Sequence, residues 1–198
     1  HCVVNGTCEG DWGQVMDLAR ANPRMILPSI GLHPSKVSTR SDNWLEKMTS
    51  TVIRESGRVF IGECGLDRWM HKPNIEEQKK AFISQLALAA EYNLPISIHC
   101  LKAWGTLLEI LKTHHRPQRG FLLHSYGGSP ELVPELAALG AYFSFSGYFL
   151  REEKKRVHEA FRRIPPDRVL VETDAPDMLP PEPYRKYSLA TSATNSLN

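Results

Sequence analysis

Short apolar runs rich in β-branched residues alternate along this chain with longer stretches of helical period. The runs that predict strands are Cys2–Val4, Met25–Ile30, Arg58–Gly62, Ile96–Ile98, Phe121–Leu123, Tyr142–Phe145 and Val169–Val171. Asp11 before Trp12 with Gln14 three residues on, and Asn74 before Ile75 with Glu77 three residues on, predict capped helix starts. The second helix carries Phe82, Leu86 and Ala90 on one face and stops at Asn93 and Pro95. Ser129-Pro130 opens another, with Leu132, Leu136 and Leu139 inward and Gly140 closing it. Further helices are expected over Ser41–Glu55, Trp104–His114 and Glu152–Arg163. Alternation of this kind predicts an α/β protein with a parallel sheet. It forms one domain over 1–179, followed over 180–198 by a loop or disordered tail that has no apolar period.

Composition narrows the class. The chain has 198 residues, 41% apolar and 23% charged, which suits a globular enzyme or binding module and argues against a fibrous or disordered one. A net charge of +2 is too small to require a nucleic-acid partner by itself. No window holds the roughly 18 apolar residues of a membrane helix, and His1 to Gly6 does not resemble an export signal. The expectation is a cytoplasmic or nuclear protein with no membrane partner. Cys2, Cys8, Cys64 and Cys100 form no CxxC pair and read as reduced, mostly buried thiols.

The candidate chemistry gathers at the ends of the strands. Glu63, His99, His124 and Asp174 each come directly after, or within three residues of, a predicted strand. They are separated by 36, 25 and 50 residues, and the last interval contains a further strand. In a parallel sheet or barrel, equivalent strand ends lie on one face, so the four side chains would converge at its C-terminal mouth. Two carboxylates and two imidazoles suit Zn²⁺, Mn²⁺ or Mg²⁺ and a hydrolytic role. By contrast, His114-His115 ends a helix and reads as solvent-exposed, and alternation turns Cys64 and Cys100 away from the site. The basic runs Lys79-Lys80, Lys154-Lys155-Arg156 and Arg162-Arg163 sit beside acids with no aromatics interleaved, so they read as solvated helix faces.

Five segments in order resemble the signatures of the TatD-type metal-dependent deoxyribonucleases. They are Gly31-Leu32-His33-Pro34, Ile61-Gly62-Glu63-Cys64-Gly65-Leu66-Asp67, Pro95-Ile96-Ser97-Ile98-His99-Cys100, His124-Ser125-Tyr126-Gly127-Gly128-Ser129 and Glu172-Thr173-Asp174-Ala175-Pro176. The resemblance implies a TIM-type (β/α)₈ barrel and a divalent-metal hydrolase acting on phosphodiester bonds of DNA, single-stranded or at its ends. It further implies Glu63 as a carboxylate shared between metals, His99 and His124 as imidazole ligands, and Asp174 as the final ligand and a proton acceptor. His33 would contact substrate, with Lys102 standing beside the position, here Leu101, where an arginine commonly follows the His-Cys pair. The family's first-strand His-x-His pair and its closing helices have no counterpart, so the chain reads as a barrel clipped at both ends. A complete site holds two divalent ions, and the ligands present suffice for one.

Two other classes fit the same residues. One is a non-catalytic fragment or interaction module built on a partial barrel. The other is a metal-dependent amide or ester hydrolase of related architecture.

Overall fold

The computed structural model describes residues 1–185. Seven strands form one all-parallel sheet in sequential order: β1 (Cys2–Gly6), β2 (Ile26–Ile30), β3 (Phe60–Asp67), β4 (Ile96–Leu101), β5 (Phe121–Leu123), β6 (Ala141–Ser146) and β7 (Val169–Glu172). Sequential parallel order is what right-handed βα units generate when each helix packs back on the strand it follows. The sheet curls into most of a TIM-type barrel, so every strand's C-terminal end opens on the same mouth.

The connecting helices are α1 (Glu9–Ala21), α2 (Trp44–Glu55), α3 (Ile75–Glu91), α4 (Trp104–Thr113), α5 (Val133–Ala138), α6 (Lys155–Arg163) and a single turn, α7 (Glu182–Arg185). Phe82, Leu86, Leu107 and Leu111 have no exposed surface and meet the equally buried Ile30, Ile61, Ile98 and Phe143 of the sheet. Among the described residues no helix is long and apolar enough to cross a membrane.

Three expectations are corrected in detail. Asp11 is not the cap of α1 but its third residue. Cys8 is the N-cap, and the Asp11 carboxylate accepts from the backbone N–H of Thr7 and Cys8 at 2.9 and 3.2 Å. The third strand does not stop at Gly62 but continues to Asp67, past a register shift between Ile61 and Cys64. A glycine reads as a turn in sequence, whereas here Gly65 takes φ +144° inside the strand. A Cβ there would lie 2.0 Å from the His99 carbonyl oxygen, so only glycine lets β3 and β4 approach this closely. Within the segment read as loop from 180 onward, Glu182–Arg185 is helical, and the rest of that segment lies outside the described residues.

Two of the four cysteines are buried. Cys64 and Cys100 are buried, and burial pushes both thiols far up from their ordinary range. Cys2 is exposed and Cys8 half-buried. The edge strands β1 and β7 do not pair with each other among the described residues, and Val3, Leu170 and Val171 are exposed there.

Two buried glutamines of α3 fix the strand ends that matter for the site. Gln85 accepts from the Leu32 N–H at 2.7 Å and donates to the Leu32 carbonyl at 3.3 Å, holding the residue next to His33. Gln78, seven residues earlier on the same face, accepts from the Asp67 N–H at 2.8 Å and donates to its carbonyl at 3.0 Å. An amide side chain offers one acceptor and two donors, which is what a strand end leaving its ladder requires.

Candidate metal centre

At the barrel mouth the Glu63 carboxylate is the hub. Its Oε1 lies 2.8 Å from His124 Nε2, 3.1 Å from His99 Nδ1 and 3.5 Å from His33 Nε2. His99 Nδ1 and His124 Nε2 are themselves 3.1 Å apart. Zinc bonds of about 2.0–2.1 Å in tetrahedral geometry put neighbouring donor atoms about 3.3 Å apart, so this cluster has the spacing of ligands sharing an ion. The donor set of nitrogen and carboxylate oxygen fits a divalent transition metal or Mg²⁺, with imidazole favouring zinc over magnesium.

Each of the two central histidines is backed by a carboxylate on its other nitrogen. Asp67 Oδ2 lies 3.4 Å from His99 Nε2, and Glu172 Oε2 lies 3.8 Å from His124 Nδ1. Glu172 is fixed in turn by the hydroxyl of Ser144 at 2.6 Å and by that of Ser125. Such partners set the tautomer and aim the free nitrogen at the ion. Neither Asp67 nor Glu172 stands out as a site residue in the sequence. Glu172 carries a usable signal, because it stands two residues from Asp174 and period-two alternation turns both the same way.

His33 joins the cluster from the start of the turn after β2, its ring packed edge-on to His99 with centroids 4.6 Å apart. His33, Glu63 and His99 together present donor atoms within 4.8 Å of one another. The tautomer decides between ligand and substrate contact. His33 Nδ1 accepts the Ser35 backbone N–H at 3.2 Å, so in the neutral ring the proton sits on Nε2, the atom facing Glu63. A protonated Nε2 has no lone pair for a metal and instead donates into the site. Asp174 stands off from the hub, with Oδ1 3.9 Å from His124 Nδ1, the side of that ring where Glu172 lies. Lys102 is exposed at the end of β4 and lines the same cavity as His99, His124 and Asp174.

Burial and pairing compete over every charge here. Burial alone would raise Glu63, but hydrogen bonds from His124 and His99 hold it far below the usual carboxylate range. Burial disfavours a charged His124, yet its contacts with Glu172 and Glu63 prevail and push it up to about 10. His99 is raised by Asp67 and Glu63 against the same desolvation. His33 goes the other way, to about 4, because burial and the neighbouring His99 both oppose its charge. Asp174 is raised, chiefly by burial, which makes it a better proton acceptor than an ordinary aspartate.

The sequence profile described as "TatD related DNase" matches residues 1–195. The chain belongs to the TatD-related DNase family. It is 35% identical over 182 residues to the 3'-5' ssDNA/RNA exonuclease TatD of Erwinia tasmaniensis, an alignment covering 90% of this chain and 69% of that protein. It is also 35% identical over 163 residues to a metal-dependent hydrolase of Bacillus subtilis, YabD, covering 81% of this chain and 62% of the relative. The crystal structure of YJJV, a TatD homologue from Escherichia coli, superposes with a TM-score of 0.84 at 30% identity, over 90% of this chain and 68% of that one. Relatives in this family are thus named as exonucleases or metal-dependent hydrolases, and the TatD-family barrel expected from the signatures is the one the chain adopts.

Proposed function

We propose that this TatD-family chain hydrolyses phosphodiester bonds of single-stranded DNA, working from strand ends, at a divalent-metal centre held by Glu63, His99 and His124, with Asp174 standing beside it. The observation that carries this reading is the convergence of Glu63 Oε1 with His124 Nε2 and His99 Nδ1 within 3.1 Å at the barrel mouth. The activity for which the Erwinia relative is named supports nucleic acid as the substrate class.

A bound divalent ion supplies Lewis acidity and lowers the pKa of the attacking water. The protein's own groups supply the rest. Asp67 and Glu172 keep His99 and His124 aimed at the centre. The neutral His33 would donate a hydrogen bond from its Nε2–H to a phosphoryl oxygen, stabilising charge that grows in the transition state. Asp174, its carboxyl raised by burial, accepts the water's proton at Oδ1. Lys102 meets the phosphate of the adjoining nucleotide.

The test is degradation of end-labelled single-stranded DNA by metal-stripped protein reloaded with Mg²⁺, Mn²⁺ or Zn²⁺, with His124→Ala as control. Metal-dependent shortening that His124→Ala abolishes is the expected result. Stoichiometric metal without cleavage of DNA, or cleavage confined to ester or amide substrates, overturns the proposal.

A further inference from the structure

The metal cluster occupies one wall of a cavity of about 800 Å³ that the cluster's own chemistry does not explain. The cavity is roofed by Trp69, from the loop after β3, and by Tyr148, from the turn after β6. Its rim carries Lys102, Lys154 and Arg156. In sequence these aromatics and cations lie far apart, so Lys154-Lys155-Arg156 reads as an ordinary solvated face. The fold brings them to one cavity.

Trp69 is 72% exposed, a large apolar surface left in water beside a charged centre. Its backbone is nevertheless anchored. Asp67 accepts the Trp69 N–H through Oδ1 at 2.7 Å while its Oδ2 faces His99, so one carboxylate ties the indole-bearing loop to a histidine of the metal cluster. Tyr148 attracts two cations, with Lys154 Nζ 4.7 Å and the Arg151 guanidinium 4.9 Å from its ring centroid. Neither Lys102 nor Lys154 has an acidic partner among the described residues, so both charges are free to meet an anion.

Flat π-surfaces and unpaired cations bordering one cavity are the elements of a sequence-tolerant single-strand site, in which bases stack and phosphates follow the positive track. We propose that the cavity is a single-strand cradle, in which Trp69 stacks a base next to the scissile phosphate and Lys102 and Lys154 hold the phosphates leading to Tyr148. The inference rests on the nuclease reading above and adds the residues that bind the strand rather than those that cut it. It also predicts that the chain recognises unpaired nucleotides, because a stacked duplex base has no face free for Trp69.

The experiment compares oligo-dT with an abasic deoxyribose-phosphate strand of equal length, both binding to metal-stripped protein in chelator so that no cleavage intervenes. Intrinsic tryptophan quenching and anisotropy of an end label report the binding. Wild type should bind oligo-dT about 5- to 100-fold more tightly than the abasic strand, Trp69→Ala should erase that preference, and Trp69→Phe should keep most of it. The double variant Lys102→Gln/Lys154→Gln should weaken both strands alike and reduce the slope of log K against log salt by about 1.4, the share of two phosphate contacts on a single strand. A preference for bases that survives Trp69→Ala overturns the cradle while wild-type cleavage of labelled DNA keeps the nuclease reading. Binding of neither strand together with no cleavage removes both.

Discussion

Replacing Asp67 with asparagine keeps shape and volume but changes what His99 faces. In the wild type Asp67 Oδ1 accepts from the N–H groups of Trp69 and Met70 at 2.7 and 3.2 Å, and Oδ2 accepts from His99 Nε2 at 3.4 Å. An asparagine would keep its single carbonyl oxygen toward the two backbone donors and turn its NH₂ toward His99. A proton on Nε2 would then meet another donor, so the neutral ring would move its proton to Nδ1. That is the nitrogen 3.1 Å from Glu63 and 3.1 Å from His124 whose lone pair the metal needs. Loss of such an orienting partner typically costs 10- to 100-fold in metal affinity, or about 1.4–2.7 kcal/mol. The 3.4 Å separation places Asp67→Asn toward the lower end, near tenfold. Competition between the protein and a chromogenic zinc chelator measures it, with circular dichroism to verify the fold. An affinity within twofold of wild type in a folded variant would refute the assignment of Asp67 as the partner that sets the His99 tautomer.

Three further outcomes are expected from the same geometry. His33→Ala should lower turnover on labelled DNA by about 10²-fold, the size of one lost transition-state donor, with metal content unchanged; loss of metal instead would make His33 a ligand. Metal affinity should rise about tenfold per pH unit from neutrality until it levels near pH 10, because His124 in the metal-free chain holds its proton up to about 10 and must release it to donate a lone pair. Isothermal titration at several pH values measures this, and a flat profile contradicts it. Gln85→Leu strands the Leu32 N–H and carbonyl in a buried site and should cost about 1–3 kcal/mol, seen in calorimetry as a Tm lower by about 2–10 °C; an unchanged Tm would show that the clamp is dispensable.

How much of this was legible in the sequence depended on whether a feature is local. The seven strands announced themselves by composition, and Glu63, His99, His124 and Asp174 by following the apolar runs; in the fold Glu63 and His99 lie inside β3 and β4, while His124 and Asp174 stand just beyond β5 and β7. Asp67 was hidden for a specific reason. Gly62 and Gly65 look like turn residues, so β3 seemed to end before it, whereas in the fold they let the strand run on, irregular in register, against β4. His33 could be placed near the site from its motif, but its tautomer is set by a backbone N–H two residues away that only the folded turn brings to it.

The meeting of Trp69, Tyr148, Lys102 and Lys154 around one cavity was the least legible feature, since these residues come from loops after three different strands. Residues near the C-terminal ends of the strands follow the apolar runs of the βα units and are therefore marked in the sequence. Residues that hold an extended polymer need only border the same cavity, at any position in any loop, and carry no such mark. The strand-borne candidate residues of such a barrel are thus legible as a pattern, while the loop residues that border its cavity come together only once the loops are folded around the mouth.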